Sequence, residues 1–123
     1  MLVLYGAGAY GVLGGFDENT ATRVSGGGTN VVRVALVDAL VGFDVSPDTV
    51  VIDRGTRLVL EVVNEGDDVH DLALASGPRT SRLDGGESER LKLGKVSGDL
   101  SAFCTLPGHK SAGMTLDIRA VAR

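Results

Sequence analysis

Four side chains with nitrogen or soft sulfur donors crowd into a small part of this sequence. Cys104, His109 and Met114 share one stretch, Cys104-Thr105-Leu106-Pro107-Gly108-His109-Lys110-Ser111-Ala112-Gly113-Met114. His70 lies upstream in the apolar run Val69-His70-Asp71-Leu72-Ala73-Leu74. The group takes the only cysteine of the chain, both of its 2 histidines and 1 of its 2 methionines. One thiolate, two imidazoles and a thioether form the donor set of a mononuclear blue-copper centre, in which His2Cys makes a trigonal plane and Met is a weak, long axial ligand. Such a set compromises between the soft preference of Cu(I) and the nitrogen preference of Cu(II), so little has to move when one electron passes.

Each residue taken singly has a plainer explanation. A lone cysteine in a strand is usually a small buried hydrophobe, and a lone histidine or methionine is usually part of a core. The joint spacing is what favours copper. Zinc is the main rival, since Cys and two His can hold it tetrahedrally, but Met is a poor zinc ligand. A Cys104–His109 nucleophilic pair is a second rival; it lacks a recognisable orienting acid and an oxyanion donor. With 2 histidines and 1 cysteine the chain has no imidazoles for a second, catalytic copper and no second thiolate for a binuclear centre. An electron-transfer protein is therefore expected rather than an enzyme.

The ligands must be delivered to one place by the elements around them. The chain has 123 residues, 43% of them hydrophobic but only 4% aromatic, so one domain with an aliphatic core is expected. From residue 30 onward, short apolar or alternating segments fall at 31–37, 42–45, 50–52, 57–64, 69–75, 87–93, 99–104 and 114–121. Turn signals separate them, including Ser46-Pro47-Asp48, Asp53-Arg54-Gly55 and Asn64-Glu65-Gly66-Asp67. About seven to eight such strands, with no helical period between them, point to an all-β Greek-key sandwich or barrel. Cys104 would end one strand and Met114 begin the next. Pro107-Gly108 would reverse the chain before His109, Gly113 would permit a close approach, and His70 would come from a strand across the barrel end.

The pattern Cys-x4-His-x4-Met, with Pro107-Gly108-His109 and Gly113-Met114, resembles the cupredoxin family. The likeness is greatest to its long-loop rusticyanin and sulfocyanin type and to small plastocyanin-like domains. It covers residues 30–123, including Phe43-Asp44-Val45-Ser46-Pro47 and the first-ligand region around His70. The resemblance implies one type-1 copper bound by His70, Cys104, His109 and Met114, and one-electron exchange with redox partner proteins. It further implies that Asp71, where the family often has Asn, bonds Thr105 beside the ligands. A collar of Leu106, Pro107 and Ala112, with Val45 at its edge, would be the docking patch. An electron-relay domain of a larger nitrite reductase or multicopper oxidase is the alternative, followed by a copper carrier.

Residues 1–29 are glycine-rich and lack a sustained period, so a tail and linker are expected ahead of a domain at 30–123. The first sixteen residues, MLVLYGAGAYGVLGGF, are apolar, but no Lys or Arg precedes Arg23 as a secretory signal requires. A remnant of an export or membrane-anchor segment is expected there, with the domain outside the cytoplasm or in the periplasm. Gly6-Ala7-Gly8-Ala9-Tyr10-Gly11 fits G-x-G-x-x-G, yet no helix within a βαβ unit follows, so the match is taken as chance. The net charge of −4 has no basic block, which argues against nucleic acid. A monomer is expected.

Overall fold

The computed structural model describes residues 21–25 and 28–122. Nine strands occur among them: β1 Thr22–Val24, β2 Thr29–Asp38, β3 Phe43–Ser46, β4 Thr49–Asp53, β5 Thr56–Asn64, β6 Ala73–Leu74, β7 Ser88–Val96, β8 Leu100–Phe103 and β9 Thr115–Val121. They form a sandwich of two mixed sheets. One sheet has the order β1-β4-β9-β8-β6 and the other β3-β2-β5-β7.

Alternation in the sequence becomes the two faces of each strand. In β5 the side chains Leu58, Leu60 and Val62 are buried while Arg57 is exposed. In β9 Leu116, Ile118 and Ala120 point inward while Thr115, Asp117 and Arg119 face solvent. Val34 and Leu36 of β2 complete the inner face on one side, and Val50 and Ile52 of β4 on the other. Each such aliphatic side chain contributes about 1.5–3 kcal/mol by leaving water. The core needs no aromatic side chain for this.

Two departures from the sequence expectation have clear physical causes. Thr22–Val24, placed in the linker, is a strand that pairs in parallel with β4, Arg23 lying opposite Val51. The guanidinium of Arg23 also reaches Asp53, 2.5 Å away. The segment 69–75 is not one strand. His70 forms an isolated bridge with Leu83, whereas Ala73 and Leu74 pair with Phe103 and Ala102 of β8. The chain changes partners midway, and Leu72 bonds Thr80 through its N–H and C=O at the crossing. The anchor segment and the G-x-G-x-x-G match lie outside the described residues.

Candidate metal centre

The site forms where β8, the loop after it, the β2 end and the 69–72 crossover meet. Cys104 follows β8 directly, and its N–H donates to the C=O of Met114 at 3.1 Å, closing the loop at its neck. Within the loop His109 N–H donates to Leu106 C=O, and Met114 N–H donates to His109 C=O, each at 3.1 Å. Gly108 has φ +80° and Gly113 φ +107°, in the region that side chains disfavour. At Gly113 a Cβ would also stand 2.8 Å from the Phe43 carbonyl oxygen. The loop is thus seated against β3, with Phe43 N–H donating to Ala112 C=O at 3.0 Å.

Three of the four expected donors converge. Nδ1 of His70 and Nδ1 of His109 lie 3.1 Å apart, and Sγ of Cys104 lies 3.5 Å from Nδ1 of His109. No two of the three donor atoms are more than 4.8 Å apart. With metal–nitrogen bonds of about 2.0 Å and a metal–sulfur bond of about 2.3 Å, the two shorter separations correspond to donor–metal–donor angles of about 100° and about 110°. The pair farthest apart closes by about an ångström at most on an ion with those bonds. The residues therefore fit a single mononuclear ion. His70, Cys104 and Met114 are buried, whereas His109 is only partly so. Met114 is held at this end by its two backbone bonds, to Cys104 and to His109.

The surroundings fix the donors. Asp71 N–H donates to Cys104 Sγ at 3.5 Å. Burial pushes the Cys104 thiol up, and the Asp71 and Leu106 amides only partly oppose it. The Asp71 carboxylate accepts from Thr105 N–H at 2.6 Å and from Thr105 Oγ at 2.5 Å. It also accepts from the Arg79 guanidinium at 3.1 Å. Burial raises the Asp71 pKa, but the Thr105 bonds, Cys104 and Arg79 outweigh it, and the carboxyl sits below the usual range. The Asp71–Thr105 bond expected from the sequence is present, with Arg79 as an added partner.

Two neighbours of the donor cluster, Phe43 and Asp38, have no role assigned from the sequence. Phe43 stacks on His109, with ring centroids 4.1 Å apart and 24° between planes, and meets His70 edge-on at 5.1 Å. Asp38 accepts from His70, Oδ1 lying 2.8 Å from Nε2. The His70 bond, followed by the Asp67 amide, lowers the Asp38 pKa. A stacked aromatic and a carboxylate partner are recognisable only once strand register is known. Of the expected collar, Pro107 is exposed and Leu106 and Ala112 are partly so. Val45 is fully buried instead, because its side chain alternates inward on β3, and Phe43 takes its place beside His109.

Fold and site together define a cupredoxin-type β-sandwich with a His2Cys cluster whose His70 and Cys104 are buried and whose His109 is partly exposed. No protein-family model and no curated protein sequence matches the chain. Among solved structures it is similar to dithionite-reduced auracyanin from the photosynthetic bacterium Roseiflexus castenholzii, with a TM-score of 0.62 and 16% identity over 78% of this chain and 99% of that one. It is also similar to auracyanin A, a "blue" copper protein from the green thermophilic photosynthetic bacterium Chloroflexus aurantiacus, with a TM-score of 0.59 and 12% identity over 76% of this chain and 100% of that one. The McoA multicopper oxidase of the hyperthermophile Aquifex aeolicus gives a TM-score of 0.63 and 14% identity, covering 77% of this chain but 30% of the oxidase. At these identities the likeness establishes the fold.

Proposed function

We propose that this chain is a type-1 copper protein that carries single electrons between redox partner proteins. One copper would be held by His70, Cys104 and His109 and capped axially by Met114. The observation that carries this reading is the convergence of two Nδ1 atoms and one Sγ on a volume that suits one ion. The auracyanin likeness supports it, since the sandwich spans nearly the whole of such a protein and one of them is described as a "blue" copper protein. The ion, when bound, supplies the Cu(I)/Cu(II) couple.

The chain's own residues do the rest. The Asp71 amide holds the Cys104 sulfur, and the Asp71–Thr105 bonds tie the ligand loop to the His70 segment, so the donors are preset and need not reorganise. His109, partly exposed under Leu106, Pro107 and Ala112, is the edge through which an electron would enter or leave. Those residues form the docking patch. The domain would work as a monomer outside the cytoplasm, the apolar first sixteen residues suiting an export or anchor segment ahead of the Thr22–Val24 strand.

A second reading, an electron-relay domain within a larger copper oxidoreductase, is favoured by the McoA likeness, in which a similar sandwich takes up 30% of the longer chain. Voltammetry of the copper-loaded protein tests the carrier reading. A reversible one-electron wave is expected, and Leu106→Asp should leave that wave and the colour intact while slowing electron exchange with a protein partner such as cytochrome c. Absence of a reversible wave contradicts the carrier reading, and unchanged exchange kinetics in Leu106→Asp contradicts the docking patch.

A further inference from the structure

His70 is fully buried, so the polar atoms of its ring must find partners inside the protein. One nitrogen, Nδ1, faces His109; the other, Nε2, lies 2.8 Å from Oδ1 of Asp38. The Asp38 carboxylate is itself held from the other side. Its Oδ2 accepts from the N–H of Asp67 at 2.7 Å and more weakly from that of Asp68 at 3.4 Å.

The turn that supplies those amides is built tightly around the carboxylate. Asn64, fully buried, donates through Nδ2 to the carbonyls of Asp68 and Leu83, each at 2.8 Å, and its Oδ1 accepts from Gly66 N–H at 2.8 Å. A Cβ on Gly66 would collide with the Asp38 carboxylate, and one on Gly85 would stand 2.7 Å from the Gly66 carbonyl oxygen. His70 is pinned through its backbone as well, exchanging N–H···O=C bonds of 3.1 and 2.7 Å with Leu83. Leu83 therefore links the Asn64 bracket to the ligand itself.

We infer that Asp38 is a positioning residue for the metal centre: by accepting from Nε2 it fixes the tautomer and ring angle that leave the Nδ1 lone pair of His70 free for a cation. A carboxylate held by two amide donors can only accept, so the proton of the imidazole resides on Nε2. Metal-ligating histidines commonly use such an acceptor to set orientation and basicity. The carboxylate also places a negative charge behind the ligand, which favours the more highly charged oxidised ion. The assignment of orientation rests on contacts of the chain alone; its consequence for copper rests on the reading proposed above.

The test has one arm that needs no metal. In the copper-free protein, nitrogen-15 chemical shifts of the His70 ring should report Nε2–H with Nδ1 unprotonated. In Asp38→Ala this bias should relax toward a mixture of tautomers. Cu(II) affinity, measured by chelator competition, should fall about 10–100-fold, the usual loss when the outer partner of a ligating histidine is removed, and the reduction potential should rise. Asp38→Asn keeps the side-chain volume but cannot accept from both His70 and the Asp67 amide, so it should change in the same directions by less. Gly66→Ala should reproduce the affinity loss by displacing the carboxylate without removing it.

Finding His70 in the Nδ1–H form in the wild-type protein overturns the assignment. So does an unchanged tautomer with affinity within twofold in Asp38→Asn and Gly66→Ala, provided both are folded by circular dichroism. If the wild-type protein takes no copper, the functional reading fails, while the tautomer measurement still decides the role of Asp38.

Discussion

Removing the Asp71 carboxylate should cost this protein both stability and metal affinity, and the two parts can be separated. The side chain is fully buried and accepts three bonds: two from Thr105 and one from Arg79. In Asp71→Ala the Thr105 N–H loses its acceptor, and an unsatisfied buried donor costs about 1–3 kcal/mol. Losing the Arg79 pair adds little, because the Arg79 side chain is 55% exposed and recovers hydration, as pairs open to solvent contribute about 0–1 kcal/mol. A loss of about 1–4 kcal/mol follows from these two parts. Asp71→Asn keeps one oxygen for Thr105 N–H and should lose only about 1 kcal/mol, the worth of an ordinary hydrogen bond. Urea unfolding of the copper-free protein, with unchanged m-values, measures both. Because the Asp71 carboxylate ties the ligand loop to the His70 segment through Thr105, Asp71→Ala should in addition weaken Cu(II) binding about 10–100-fold. Equal losses in the two variants, or an Asp71→Ala loss below about 0.5 kcal/mol, the level of an ordinary surface substitution, would refute this reasoning.

Other outcomes follow from the loop and from the paired carboxylates. Gly113→Ala should lose about 1–3 kcal/mol from its backbone conformation and more from the approach of Cβ to Phe43. Gly108→Ala, which meets nothing within 4 Å, should lose only the conformational part, so thermal unfolding must rank Gly113→Ala as the worse. Asp71 and Asp38 both have lowered pKa values, so the unfolded chain binds more protons than the folded one just below the ordinary carboxylate range. Their stabilisation is complete above about pH 4 and is lost as the pH falls through their folded values. Denaturation midpoints of the copper-free protein should drop below that pH, and flat midpoints down to pH 2 would contradict the bonds described.

The clustering of Cys104 and His109 is legible in the sequence because both share one loop. Pro107-Gly108 and Gly113 mark where that loop must turn, and the structure puts positive φ at both glycines. Strict alternation in Thr56–Asn64 and Thr115–Val121 revealed two central strands for the same local reason. Other features depend on partners distant in sequence and leave no local signal. Thr22–Val24 is a strand only because Thr49–Asp53 offers it an edge, and its glycine-rich flank concealed it. Asp38 meets His70 because parallel pairing sets the end of β2 beside the turn after β5, where Leu36 lies opposite Asn64. The apolar run at 69–75 reads as a single strand, since a change of pairing partner leaves no periodic trace.

The most direct test of the central claim is a titration of the metal-free protein with Cu(II), followed by visible absorption and electron paramagnetic resonance. One equivalent should produce an intense thiolate-to-Cu(II) band in the wild-type protein, and Cys104→Ser should abolish that band. A colourless product, a stoichiometry other than one, or an undiminished band in Cys104→Ser would contradict a mononuclear copper centre built on this loop.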